Sequence, residues 1–212
     1  MMSRSKPWVD LSRVMNPSMP SYPGDAPFHA FLQDIHGFRV GSAHLNMHHG
    51  THVDGPLHAM DDETPIGSMP LDHFYGPAQK LKIIPREGIV TTKSLLVAYD
   101  ATDEVEIILI ETGWGETYGS EDYYARCPRF EEDFIDFLRT HHIKLLGLDL
   151  PSVEIEGWES LLTHQEIMKT GCLIVENLGH MECIDTKIDF MALPLPFTSL
   201  EASPVRAIAR NR

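Results

Sequence analysis

Four of the chain's 12 histidines fall between residues 48 and 58, in the run HHGTHVDGPLH, where an even spread would place fewer than one. A bias of that kind points to metal binding. His48, His52 and Asp54 offer two neutral imidazoles and a carboxylate, donors that suit Zn²⁺ in a catalytic site with one position left open for water. A Mg²⁺ or Ca²⁺ cage would want oxygen donors throughout. Gly50 lets the chain turn, alternation along an extended stretch puts His52 and Asp54 on one face, and Pro56 stiffens the exit toward His58. The plainer alternative is a solvated polar loop whose histidines cap turns, and His44 and His49 are assigned to that role.

Ligands so placed need a rigid scaffold, and the apolar pattern supplies one. Val105 to Ile110, Leu145 to Leu150 and Leu173 to Leu178 read as buried strands, with Ala78 to Ile84 and Ala43 to His48 as further candidates. Phe130, Phe134, Phe137 and Leu138 fall at helical spacing, with Glu131, Glu132 and Asp133 where a helix N-terminus favours acid. A second helix is expected from Glu159 to Thr170, closed by Gly171. Strand, helix, strand in that order predicts an α/β fold with a mixed, partly parallel sheet, and the early strands without helices predict a second β layer. Residues 15–27 carry four prolines and form a loop that could wall a pocket, with Pro23-Gly24-Asp25 as its turn.

The 212 residues suffice for a single domain over 1–212, and 42% hydrophobic with 23% charged residues is a globular balance. A formal charge of -14 argues against nucleic acid and anionic lipid as partners. No signal h-region and no spanning apolar run is visible, so a cytoplasmic protein is expected. Three cysteines without a C-x-x-C pair build neither a disulfide framework nor a zinc ribbon.

The run from His48 to His58 resembles the H-x-G-T-H-x-D-x-P-x-H signature of the cyclase-like metal hydrolases, a family that includes bacterial kynurenine formamidase and isatin hydrolase. The likeness continues through Pro23-Gly24-Asp25, Leu148-Asp149 to Ser152, His164 to Glu176-Asn177-Leu178, and Ser203-Pro204-Val205-Arg206-Ala207. It implies that His48, His52, Asp54, His164 and Glu176 hold one or two metal ions per subunit, Zn²⁺ or alternatively Mn²⁺, and that His58 is the catalytic acid/base. It further implies a swivelling β/β/α fold and a homodimer or higher homo-oligomer whose subunits help close the pocket. For His164, a satisfied histidine at a core boundary is the alternative without the family. Glu176 stands in an apolar strand, where an unpaired carboxylate is costly and a metal offsets that cost.

The expected activity is hydrolysis of a small amide, foremost an aryl formamide such as N-formyl-L-kynurenine, by metal-activated water with His58 relaying the proton. A lactam or ester hydrolase and a non-catalytic metal-binding module are the alternatives. A serine route is excluded because no G-x-S-x-G elbow occurs. Tyr22, Trp8 and Trp114 are candidates for substrate contact, and Asp149 either supports the metal site or caps a turn.

Overall fold

The computed structural model describes residues 6–61, 63–154 and 161–212. In chain order its strands are β1 (Val9–Asp10), β2 (His29–Ile35), β3 (Phe38–His44), β4 (His52–Asp54), β5 (Tyr75–Lys82), β6 (Ile89–Val90), β7 (Ile107–Glu111), β8 (Arg129–Phe130), β9 (Leu145–Leu148), β10 (Leu173–Glu176), β11 (Lys187–Met191), β12 (Ala202–Pro204) and β13 (Ile208–Asn211). The helices are α1 (Pro56–Ala59), α2 (Thr92–Ala98), α3 (Asp122–Ala125), α4 (Phe134–Thr140) and α5 (Leu162–Lys169). Among the described residues, nine strands form one mixed sheet in the order β1-β13-β11-β5-β7-β9-β10-β4-β12. Its centre, β5 to β10, is parallel, and both flanks are antiparallel. Two small two-stranded sheets, β2-β3 and β6-β8, accompany it.

Strand β7 is apolar from Ile107 to Ile110 because both of its faces are covered. Ile108 and Ile110 join Leu146 and Ile174 under α2, α4 and α5, which contribute Leu95, Phe134, Phe137, Leu138 and Ile167. Ile107 and Leu109 turn the other way, into a cluster fed by Val53 of β4 and Ala209 of β13. Side chains from opposite flanks of the sheet meet there, so the sheet curls around its own inner face. Gly147 of β9 is required by this packing: a Cβ there would come within 2.4 Å of Leu109 Cδ2 and 2.8 Å of Leu178 Cδ1.

The expected buried strands are present, each ending a residue or two from its sequence bounds. Three local expectations are corrected. Phe130 lies in β8, paired with Val90, rather than in the helix that starts at Phe134. Two of the three acids between them bind the start of α2, since Glu131 accepts from Thr92 N at 2.8 Å and Asp133 from Thr92 Oγ1. His48 sits in a turn after β3, not in a strand, and Asn46 Oδ1 accepts from its backbone N–H at 2.7 Å. Helix α5 begins at Leu162, while Glu159 and Ser160 lie outside the described residues; Gly171 ends it as expected, at φ +86°.

Candidate metal centre

Strand β4 is three residues long and is held on both sides, by β10 and by β12. Its pleat aims Val53 into the core and His52 and Asp54 to the opposite face. Register places Glu176 directly across from His52. The turn at Asn46 to Gly50, where Gly50 takes φ +63°, returns the chain so that His48 faces Asp54. Pro56 starts α1, which presents His58, and α5 presents His164 from a neighbouring direction.

All six residues singled out in the sequence are brought together. Asp54 Oδ1 lies 3.0 Å from His48 Nδ1 and 3.4 Å from His52 Nε2, and Asp54 Oδ2 lies 3.7 Å from His164 Nε2. Glu176 Oε2 is 3.5 Å from His52 Nε2, and Glu176 Oε1 is 3.4 Å from His164 Nε2. The His58 ring centroid is 4.4 Å from that of His48 and 5.3 Å from that of His164. Two sets, His52-Asp54-Glu176 and His48-Asp54-His58, each have donor atoms within 4.8 Å of one another, and Asp54 is common to both.

The outer nitrogen of each of three imidazoles is tied to an acceptor. His52 Nδ1 meets Gly50 O at 2.8 Å, His164 Nδ1 meets Glu154 Oε1 at 2.9 Å, and His48 Nε2 meets Glu201 Oε1 at 3.3 Å. The opposite nitrogen of each ring faces Asp54 and Glu176, and in the neutral ring that a metal would select it would carry the lone pair, the arrangement that orients histidines for a metal. The sequence reading missed Glu154 and Glu201. Glu201 reaches His48 only because β12 pairs with β4, where its carbonyl also accepts from Gly55 N at 2.9 Å.

These donors fit a cation. Asp54 is fully buried, and neither of its oxygens has an aligned hydrogen bond; His52 Nε2 is likewise buried without a partner. Burial works against protonation of His48, but Asp54 and Glu201 outweigh it and raise the ring to about 10. Burial also opposes charge on His164, yet the carboxylates of Asp54, Glu154 and Glu176 hold it well above the usual imidazole range. Burial keeps His52 and His58 neutral, each lowered to about 4. Glu176 is pushed up to about 7 by burial and by the neighbouring Asp54 charge, against the pull of His164. Protons on two histidines thus supply positive charge where a metal ion would otherwise supply it.

Beside the cluster lies a cavity of about 260 Å³, whose lining also includes Tyr22, Asp25 and Tyr124. The Pro-rich loop contributes to this lining through the Tyr22-Asp25 turn, closed by Asp25 N donating to Tyr22 O at 3.0 Å. Trp8 and Trp114 do not line it: Trp8 sits under Arg210, and Trp114 Nε1 donates to Tyr123 O. Asp149 proves to be a turn cap, accepting from Thr112, Gly113 and Gly115 after β7. His49 is also structural, bridging Asn46 N and Ser21 Oγ.

Residues 9–155 match the family model described as "Putative cyclase". The chain is 28% identical over 211 residues to a kynurenine formamidase of Bacillus cereus, covering 98% of this chain and 99% of the relative. It is 29% identical over 212 residues to the Bacillus mycoides protein of the same name, with the same coverage. Among solved structures, a "predicted metal-dependent hydrolase" from Bacillus stearothermophilus superposes with a TM-score of 0.82 at 19% identity, covering 99% of this chain and 100% of that one. An isatin hydrolase bound to the product analogue thioisatinate gives 0.80 at 17% identity, covering 95% of this chain and 91% of that one. At such identities the two structures attest the shared fold.

Proposed function

The chain belongs to the cyclase family, and from that premise we propose that it is a metal-dependent amidohydrolase whose substrate is a small aryl formamide. The observation that carries this reading is Asp54, a fully buried carboxylate with two unbonded oxygens facing the nitrogens of His48, His52 and His164. His48, His52, Asp54, His164 and Glu176 would hold one or two Zn²⁺ or Mn²⁺ ions, with Asp54 shared. When bound, the metal supplies a Lewis acid for the carbonyl oxygen and lowers the pKa of water at the site. The two full-length relatives named for formamide cleavage support the reaction class.

The chain's own residues do the rest. His58, neutral through burial, accepts a proton from the attacking water at a ring nitrogen and returns it to the leaving nitrogen as the C–N bond breaks, so that formate and an amine result. Glu154, Glu201 and the Gly50 carbonyl keep the other imidazoles in one tautomer. Tyr22 and Tyr124, ring centroids 5.4 Å apart and near-perpendicular, form an aromatic wall suited to an aryl group. Formate release from formanilide, lost on chelation and restored by Zn²⁺ or Mn²⁺, tests the assignment; turnover by exhaustively metal-free protein would overturn it. A parallel lactam and ester panel sets the substrate class.

We further read the protein as a homodimer. Every residue of β2 and β3 is exposed, and register puts Phe31, Ile35, Val40 and Phe38 on one face of that hairpin. A two-stranded hairpin with an apolar face is marginal by itself. The hairpin's one carboxylate, Asp34, pairs in register with Arg39 on the opposite face, so the apolar face carries no acid to repel a second copy of a chain carrying -14. A monomeric mass by light scattering would contradict this. No helix among the described residues is long and apolar enough to cross a membrane, and three free cysteines support a reducing, cytoplasmic setting.

A further inference from the structure

Asn177 follows Glu176 at the end of β10 and takes φ +60°, a backbone setting that favours glycine and that asparagine tolerates. All but one of its polar groups are engaged. The backbone N donates to Leu150 O at 2.9 Å, the carbonyl accepts from Thr51 Oγ1 at 2.8 Å, and Oδ1 accepts from the Tyr123 hydroxyl at 2.6 Å. Nδ2 has no partner among the described residues. Asp54 Oδ1 and His52 Nε2 are sealed from solvent, whereas that nitrogen is open to it, and the space that Asn177 lines is the cavity beside the histidines. The residue as a whole is 2% exposed. A buried amide left with an unpaired NH₂ costs free energy unless a water or a ligand meets it.

Tyr123 decides which end of that amide is left to donate. Its ring is fully buried, burial pushes the hydroxyl far above the ordinary tyrosine range so that the proton stays on, and the other acceptor, Asp149 O, is farther off at 3.4 Å. The proton therefore goes to Asn177 Oδ1, and Nδ2 is free. Of the two amides that line the cavity, Asn46 is half-buried in the turn that carries His48; Asn177 is buried and follows directly on a candidate ligand. A carbonyl that reacts beside Glu176 and the histidines gains negative charge on its oxygen as water adds to its carbon, and a fixed donor stabilises that charge without reorganising. We propose that Asn177 donates through Nδ2 to the acyl oxygen of the substrate, with Tyr123 as the positioning residue that holds the amide in its donating orientation. This rests on the hydrolase reading above and adds to it a protein donor for the reacting carbonyl.

The test uses the full-length, metal-loaded protein with formanilide and thioformanilide, whose sulfur is a poor hydrogen-bond acceptor, and follows aniline release from both. The metal's own preference for oxygen or sulfur is common to every variant, so a change in the oxygen-to-sulfur ratio of kcat/KM reads the donor. Asn177→Gly suits φ +60°, and Asn177→Asp still accepts from Tyr123 but offers no donor. Each should lower that ratio about tenfold or more, mainly through kcat, with metal content by elemental analysis unchanged. Tyr123→Phe should lower it about threefold and add nothing in the Asn177→Gly background, where it also removes the hydroxyl that glycine strands. A native ratio in Asn177→Asp, or a rate loss that follows metal loss at an unchanged ratio, makes the residue structural and overturns the proposal. If the native chain turns over neither compound, calorimetric binding of the same pair replaces the rates. An oxygen preference that disappears in Asn177→Gly then keeps the donor while the hydrolase reading falls, and no such preference removes both; turnover at a ratio unchanged in the variants removes the donor and leaves the hydrolase.

Discussion

Glu111 and Glu176 end parallel strands of the same sheet, β7 and β10, and both are buried, yet the chain treats them in opposite ways. Glu111 is met by Lys80 Nζ at 2.8 Å and Lys82 Nζ at 2.9 Å, both from β5. Burial pushes its carboxyl up, but these two ammonium groups outweigh that and hold it below the usual glutamate range. Glu176 faces Asp54 and two imidazoles and, among the described residues, pairs with no lysine or arginine, and burial with the Asp54 charge raises its carboxyl to about 7. A buried carboxylate whose countercharge is built into the fold is a structural element. One whose countercharge is left to come from outside is a ligand, and that difference separates two carboxylates at the same, C-terminal ends of the parallel strands.

The sharpest way to break this contrast is to remove the shared carboxylate. Asp54→Asn should abolish metal retention and lower turnover by about 10³-fold or more, measured by elemental analysis beside kcat. Normal metal content in that variant would return Asp54 to the structural class. Next, His52→Ala should lose metal together with rate, whereas His58→Ala should keep its metal and lose about 10²- to 10⁴-fold in kcat. Equal metal loss in both would make His58 a ligand, a role its place beside His48 and Asp54 also permits geometrically. Replacing the outer acceptors in Glu154→Gln and Glu201→Gln should weaken metal affinity by about 10- to 100-fold, read by chelator competition. Unchanged affinity would mean that these carboxylates only solvate the rim.

Two smaller effects probe the scaffold. Gly147→Ala forces a methyl against Leu109 and Leu178, and should cost about 1–3 kcal/mol, or about 2–4 °C of Tm per kcal/mol, by thermal denaturation. For Glu111 the sign runs with acid: its folded pKa lies below the unfolded value, so the lysine pairs stabilise the fold above roughly pH 4–5. That contribution fades as pH falls through the lowered folded value. The urea midpoint of the native chain should therefore exceed that of Glu111→Gln at pH 7 and converge on it as pH falls through the lowered folded value, and a gap that persists in strong acid would refute the pairing.

Local pattern carried much of this. The His48 to His58 run holds its own turn, strand and helix start, and strand alternation alone puts His52 and Asp54 on one face, so these donors were legible before any fold was known. The helix-then-strand setting from His164 to Glu176 was visible for the same reason. Phe130 was misassigned because helical spacing also fits a residue that a parallel partner, Val90, draws into a strand. Asp149 stayed ambiguous because its donors, Thr112, Gly113 and Gly115, lie on the neighbouring strand's exit rather than nearby in sequence.

By itself, then, the amino-acid sequence determined the donor types, their local spacing and the buried strands, since side-chain periodicity and turn chemistry act over a few residues. Only tertiary structure decided which acids became ligand supports, which became cavity wall and which became ion pairs. Glu201 reaches His48 through the β12-β4 register, Glu154 reaches His164 across the α5 start, and Asp25 joins the cavity lining from a loop distant in sequence. Nothing in an isolated Glu or Asp distinguishes these fates, because a carboxylate's role depends on which charge the folded chain places within a few ångströms of it.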